Sequence, residues 1–312
     1  MSMSWIRTLS LIAASGLAVA AGPAAASCVS VTQNGQAPTV TYDPFDEVTV
    51  LSTPFTLTAQ RRRAADKQPV VVSVDLQYVP DGTPFAGSDI TSYDLVSDNV
   101  SVTSPTGAAW GGGSWVTIGF AGNQPVTSPL IRLAVPGRQD AVAGSHQGRF
   151  ALAWRCKLSN GDIEEGQWAN GLWTTIDVPA RVRAVAVGDR TVGRLMVNPA
   201  TQEATGGLAI RSTGPFTVAA SSRTGFEMRL NGAGGANVPV DQRAGYSLTV
   251  GPAVLSQPGA SLSCARTGIR GSTLNVATRL AVDPRTLRAG NYMDVVTIDV
   301  TPQVFAGAAT TC

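Results

Sequence analysis

Apolar and polar side chains alternate with a period of two along most of this chain, the spacing of strands that bury one face. The pattern is strongest in Val70-Val-Val-Ser-Val-Asp-Leu-Gln-Tyr-Val79. It predicts strands at 38–45, 47–57, 69–79 and 114–120, each bounded by Gly, Pro or Asp, and then at 130–135 and 148–157. Ser159-Asn-Gly-Asp162 follows as a hairpin turn. Past Val178-Pro179-Ala180 a second series opens with the apolar segment 180–187 and continues at 192–198, 206–212, 216–221, 225–231, 246–250, 272–282 and 292–301. Residues 231–237, Asn-Gly-Ala-Gly-Gly-Ala-Asn, make a flexible loop between two of these. The final strand has a clean alternation. After a glycine turn, Tyr292, Asp294, Val296, Ile298 and Val300 share one face of a single long strand, and Met293, Val295, Thr297 and Asp299 share the other.

Many short strands at regular spacing, with 33 glycines and 19 prolines, predict an all-β fold, and a sandwich is the common outcome. No internal repeat is evident. The first 26 residues read as a removed signal peptide, with Arg7 for positive charge, an apolar core over 9–21 and the small-residue site Ala24-Ala25-Ala26. Acylation of Cys28 is a weaker reading, because the box before it lacks its usual leucine. No other apolar run approaches the roughly 18 residues that span a bilayer, so the mature chain is expected to be exported and secreted. About 285 mature residues suit two domains, 27–178 and 179–312. A charged fraction of 14% and a net charge of +2, without a basic stripe, exclude nucleic acid as a partner.

Cys28, Cys156, Cys264 and Cys312 are an even set in an oxidising compartment, which predicts two disulfides with three possible pairings. Pairing within domains gives Cys28–Cys156 and Cys264–Cys312. No two cysteines have ligand spacing and His146 is the one histidine, so neither a metal nor another cofactor is expected. His146, in Gly-Ser-His-Gln-Gly, has no serine elbow nearby, and Glu164-Glu165 on a strand point apart. Gly111-Gly-Gly113 lacks the lysine of a phosphate loop, and Arg61-Arg-Arg63 reads as solvated surface able to meet acidic headgroups or polysaccharide. No enzyme is predicted. For surface binding, Trp110-Gly-Gly-Gly-Ser-Trp115 sets two aromatics around a turn, and Val79-Pro-Asp-Gly-Thr-Pro-Phe85 makes a loop with Phe85 at an apolar tip. The simpler reading makes both tryptophans core residues beside a hairpin, with Trp154, Trp168 and Trp173 as packing residues.

Gly214-Pro-Phe-Thr-Val-Ala-Ala-Ser-Ser222, the Asn237-Val-Pro239 step into Tyr246-Ser-Leu-Thr-Val250, and Ala289-Gly-Asn-Tyr-Met-Asp-Val-Val-Thr-Ile-Asp-Val300 together resemble the spore coat protein U domain. That domain is the pilin-like unit of archaic, or alternate, chaperone–usher fimbriae, and the resemblance covers roughly 180–301. For that region it implies an immunoglobulin-like, pilin-like β-sandwich that lacks one strand, and with the strand pattern of 27–178 the expected fold is two immunoglobulin-like β-sandwich domains. A periplasmic chaperone, an outer-membrane usher and a neighbouring fimbrial subunit are the implied partners. Tyr292, Val295, Val296, Ile298 and Val300 are the implied strand-acceptor edge, completed by β-augmentation. Cys28 stands next to the expected cleavage point, which leaves no donor segment ahead of it, so the chain is expected at a fibre tip. Its N-terminal domain would attach to a carbohydrate or an abiotic surface. The chain continues past the family's usual end to Cys312, and this tail either returns to Cys264 or partly fills the groove. A freely secreted carbohydrate-binding sandwich is the alternative of a different class, with a secreted hydrolase behind it.

Overall fold

The computed structural model describes residues 24–25, 28–62, 69–103, 114–187, 196–232, 237–303 and 312. The described chain is nearly all strand, and its helical content is two single 3-10 turns, Val240–Gln242 and Pro284–Thr286. Buried apolar side chains fall into two main clusters that do not merge. One draws on residues between Cys28 and Val178, the other on residues from Leu208 to Val276 with Val182, Val296, Ile298, Val300 and Cys312 packed against it. The chain therefore forms two lobes, and the expected all-β class holds.

The N-terminal lobe is a two-layer sandwich. One layer is a five-stranded sheet in the order Thr39–Thr41, Ile163–Val178, Gly144–Leu158, Val71–Pro80 and Val116–Gly119. Its centre is the long hairpin turned by Ser159-Asn-Gly-Asp162, where the backbone N–H of Gly161 donates to Leu158 O. The turn is legible in the sequence, whereas the strand on its second arm is not among those the pattern predicts. Gly166 and Gly171 interrupt the alternation there, and a bulge opposite Phe150 and Leu152 resets it.

The facing layer is a kinked pair of four-stranded sheets, one holding Val29–Asn34 and Thr56–Arg61, the other Asp94–Ser97 and Ile131–Val135. Two buried serines make the kink without leaving backbone groups unpaired. Ser128 Oγ accepts from Leu57 N and Ser52 Oγ accepts from Leu133 N, each at 2.9 Å. Cys28 bonds to Cys156, tying the first strand of this layer region to the central hairpin across 128 residues. On the chain-entropy account such a closure destabilises the unfolded state by about 3–5 kcal/mol.

The C-terminal lobe is also two-layered. Its larger sheet runs Val182–Val187, Glu203–Ser212, Gly268–Leu280, Arg243–Val250, Glu227–Leu230 and Tyr292–Met293. Its smaller sheet runs Ser261–Cys264, Phe216–Ser222 and Val296–Pro302. The expected single strand over 292–301 is thus two strands in different sheets. The chain crosses between layers at Asp294 and Val295, and the carboxylate of Asp294 anchors the crossing.

Cys264 bonds to Cys312. The within-lobe connectivity is therefore the one formed, of the three that four cysteines allow. Cys312 is held at the strand Ser261–Cys264, which lies on the far side of Phe216–Ser222 from Val296–Pro302. The return of the tail to Cys264 holds, while 304–311, the loop residues 233–236 and most of 192–198 lie outside the described residues.

Candidate functional site

Two long strands in the C-terminal lobe each use only one edge among the described residues. The opening strand Val182–Val187 pairs only with Glu203–Ser212, and the closing strand Val296–Pro302 pairs only with Phe216–Ser222. They approach one another across the open side of the sandwich without forming a ladder. Residues directly opposite in an antiparallel pair share a face. Ala184 and Ala186 stand opposite Ile210 and Leu208, which are buried in the core, yet both alanines are exposed. Val296, Ile298 and Val300 stand opposite Ser222, Ala220 and Val218, pack on the same core and remain half-buried. Core-facing positions on both lips are therefore partly wet. Val185, on the other face of the opening strand, is 67% exposed.

In the N-terminal lobe the short strands Val50–Leu51, Val100–Ser101, Val126–Thr127, Thr39–Thr41 and Val116–Gly119 lie at sheet edges. Longer strands there are also partly uncovered among the described residues, since Ile163–Val178 meets Thr39–Thr41 only over Thr175–Asp177 and Val29–Asn34 meets on its outer side only Ala24–Ala25. What distinguishes the two edges of the C-terminal lobe is that they approach one another with core-facing side chains left partly exposed on both.

Asp294 sets where the closing strand begins. Its carboxylate accepts from Ser222 Oγ and from the Tyr246 hydroxyl, each at 2.6 Å, and from Val295 N at 2.7 Å. Ser222 Oγ in turn accepts from Phe226 N at 2.7 Å and Thr224 N at 3.1 Å, capping the turn that follows its strand. Burial pushes the Tyr246 pKa well above its ordinary value, and the hydrogen bond and charge of Asp294 push it the same way. Burial raises the Tyr78 pKa in the N-terminal lobe as well.

Both tyrosines keep their protons in the folded protein at a pH where the unfolded chain, with tyrosines near 10, has lost them. Their contribution to stability is complete below about pH 10 and is lost as pH rises above it. Urea midpoints should therefore fall as pH rises above about 10, and less steeply in Tyr246→Phe. At neutral pH the same variant should lose about 1–2 kcal/mol, because the Asp294 carboxylate loses a buried donor.

The structure disperses several residues that the sequence suggested as one site. Tyr292 is not on the acceptor edge. It pairs with Leu230 in the larger sheet, and its hydroxyl lies 2.8 Å from the carbonyls of Asp241 and Arg288. Val295 is an exposed residue of the crossing, outside the closing strand. Val296, Ile298 and Val300 do sit together on the edge.

Phe85 is not a loop tip. It is 1% exposed, has a left-handed backbone (φ 59°) that turns its ring inward, and packs edge-on against Tyr93 at 5.0 Å and beside Phe150. Gly148 makes room for it, since a methyl there would lie 2.6 Å from Phe85 Cζ. Trp115 is half-buried on Val79, Ala151 and Ala153, with the Arg155 guanidinium 5.1 Å from its ring centroid. Trp110 lies outside the described residues.

His146 Nε2 is 2.9 Å from Val142 O, which ties the ring to its own turn. Glu164 and Glu165 are exposed, and Glu165 pairs with Arg155 at 3.8 Å. No group of three or more potential metal ligands occurs among the described residues. The lip residues Ala184 and Ala186 escaped the sequence reading, because alanine is compatible with core, surface and turn. Asp294 was visible in the alternation, but only its partners reveal it as an anchor.

No family model and no curated protein matches the chain, so the spore coat protein U resemblance stands on the motifs in 214–222, 237–250 and 289–300 alone. Solved structures do align with it. The CupB6 tip adhesin of Pseudomonas aeruginosa is 12% identical, with 88% of this chain and 95% of that one covered at a TM-score of 0.38. The chaperone–tip adhesion subunit complex CsuC–CsuE of the archaic chaperone–usher Csu pili of Acinetobacter baumannii is also 12% identical, covering 73% and 84% at 0.36. CfaE, the adhesive subunit of the CFA/I fimbria of enterotoxigenic Escherichia coli, is 10% identical, covering 90% and 83% at 0.34.

Proposed function

We propose that this chain is an exported, non-enzymatic adhesive subunit of a chaperone–usher surface fimbria, whose C-terminal lobe is a pilin-like domain that borrows its missing strand from a neighbouring subunit. Residues 27–178 are then the attachment domain and 179–312 the assembly domain. The observation that carries the reading is the pair of long edges, Val182–Val187 and Val296–Pro302, flanking a side on which the apolar core-facing residues Ala184, Ala186, Val296, Ile298 and Val300 stay partly exposed. A strand added there gains main-chain hydrogen bonds along the edge and buries those side chains, and alternate positions set its register. Until that happens, the chain needs a periplasmic chaperone to cover the same surface. At the outer membrane an usher would exchange chaperone for subunit. The position at the fibre tip and a carbohydrate or abiotic target for the N-terminal lobe belong to the same reading.

The test is complementation. Expressed in the periplasm alone, the chain should aggregate. An extended ten-residue peptide with alternating Val and Ile should keep it soluble and raise its melting temperature. A stable monomer whose melting temperature ignores the peptide would instead identify a freely secreted binding protein.

A further inference from the structure

The two lobes carry opposite charge. Residues 27–178 hold 14 Asp and Glu against 9 Lys and Arg, a net −5, whereas 179–312 hold 7 against 13, a net +6. All the basic residues of the second lobe are arginines. The same segregation appears where the lobes meet, because every interlobe ion pair among the described residues sets a carboxylate of the first against a guanidinium of the second.

These pairs form two groups. In one, Arg266 bridges Asp89 at 3.1 Å and Asp140, and Asp140 also accepts from Ile269 N at 3.2 Å. Gly268 permits this approach, since its φ is +69° and a methyl there would lie 2.6 Å from the Asp140 carboxylate. In the other, Arg181 reaches Asp43 at 3.2 Å, while Arg183 reaches Asp43 at 3.8 Å and Asp46 at 3.6 Å. The Arg183 guanidinium also lies over the Phe45 ring at 5.0 Å. A backbone hydrogen bond, Ala143 N to Thr213 O at 2.8 Å, also joins the lobes, and Gly214 backs onto Ala143. The two hydrophobic cores remain separate.

We infer that the junction is an ionic latch, in which Arg266 with Asp89 and Asp140, and Arg181 and Arg183 with Asp43 and Asp46, hold the lobes in one arrangement that high ionic strength releases. An interface without an apolar core leaves domain motion as the default. Here charge opposes that motion. The side chains of Arg181, Arg183, Asp46, Asp89 and Asp140 are exposed while those of Asp43 and Arg266 are largely buried. Solvent ions therefore reach at least one side of every pair and weaken it, less steeply than a fully exposed pair, as the screening length falls from about 10 Å in 0.1 M salt to about 3 Å in 1 M. The inference concerns the junction alone and stands whether or not the open side of the second lobe takes a strand.

Hydrogen exchange on the full exported chain, with its chaperone if that is needed for solubility, tests it. The Ala143 and Ile269 amides report on the latch, and amides of the Gly144–Leu158 and Gly268–Leu280 strands report on the folded lobes. Raising salt from about 0.1 to 1 M should remove protection at Ala143 and Ile269 while the strand amides stay protected. The Arg183→Gln, Arg266→Gln double variant should lose it already at low salt, and further salt should add nothing. Loss at both reporters with a larger radius in solution scattering supports the latch. Protection at both that survives 1 M salt in the unaltered protein overturns it, whatever the variant does.

Discussion

The Ile298→Asp substitution is expected to abolish strand capture while leaving the N-terminal lobe folded. Ile298 is half-buried in the free chain and lies in the middle of the closing strand's core-facing row, between Val296 and Val300. A strand laid along that edge completes its burial. An aspartate there loses the apolar contact and puts an unpaired carboxylate into the interface. Together these should cost at least about 3 kcal/mol, roughly a hundredfold or more in affinity. Thr297→Asp faces outward and is the control. Peptide titration by calorimetry, read with the urea transition of the N-terminal lobe, gives both quantities. Equal binding by the two variants would place the acceptor surface elsewhere.

The Phe85→Ala substitution is expected to unfold rather than to blunt attachment. The ring fills space between Tyr93, Phe150 and Gly148, so its loss leaves a cavity in a packed core. Removing a buried phenylalanine costs about 3–5 kcal/mol. Denaturant midpoints should drop accordingly, and attachment should decline only with the folded fraction. A variant of unchanged stability that no longer binds its surface would return Phe85 to the role of a binding tip.

Phe85 also illustrates what a one-dimensional pattern conceals. Pro80-Asp-Gly-Thr-Pro84 marks a loop correctly, but the following residue takes a positive φ and turns inward, where Gly148, more than sixty positions away, makes room for it. The closing segment illustrates the reverse. Its alternation was legible, and Val296, Ile298 and Val300 do share a core face. Alternation alone could not register that Tyr292 and Val296 belong to different sheets, because residues four apart keep the same parity on either side of a crossing. The crossing is made by Ser222 and Tyr246, brought to Asp294 from other strands. Ala184 and Ala186 carry no pattern that separates a lip from a surface.

By itself, the sequence determined the strand-rich class, the turn of the long hairpin and the cysteine set from which the two disulfides are drawn. Those features depend on local propensity, turn chemistry and composition, which neighbouring residues encode. Tertiary structure decided which strands are left with an open edge, where the last strand begins and which loop aromatics are core. Each of these depends on groups distant in sequence meeting in space. An edge strand and a central strand can share the same alternation, and only the presence or absence of a neighbour distinguishes them.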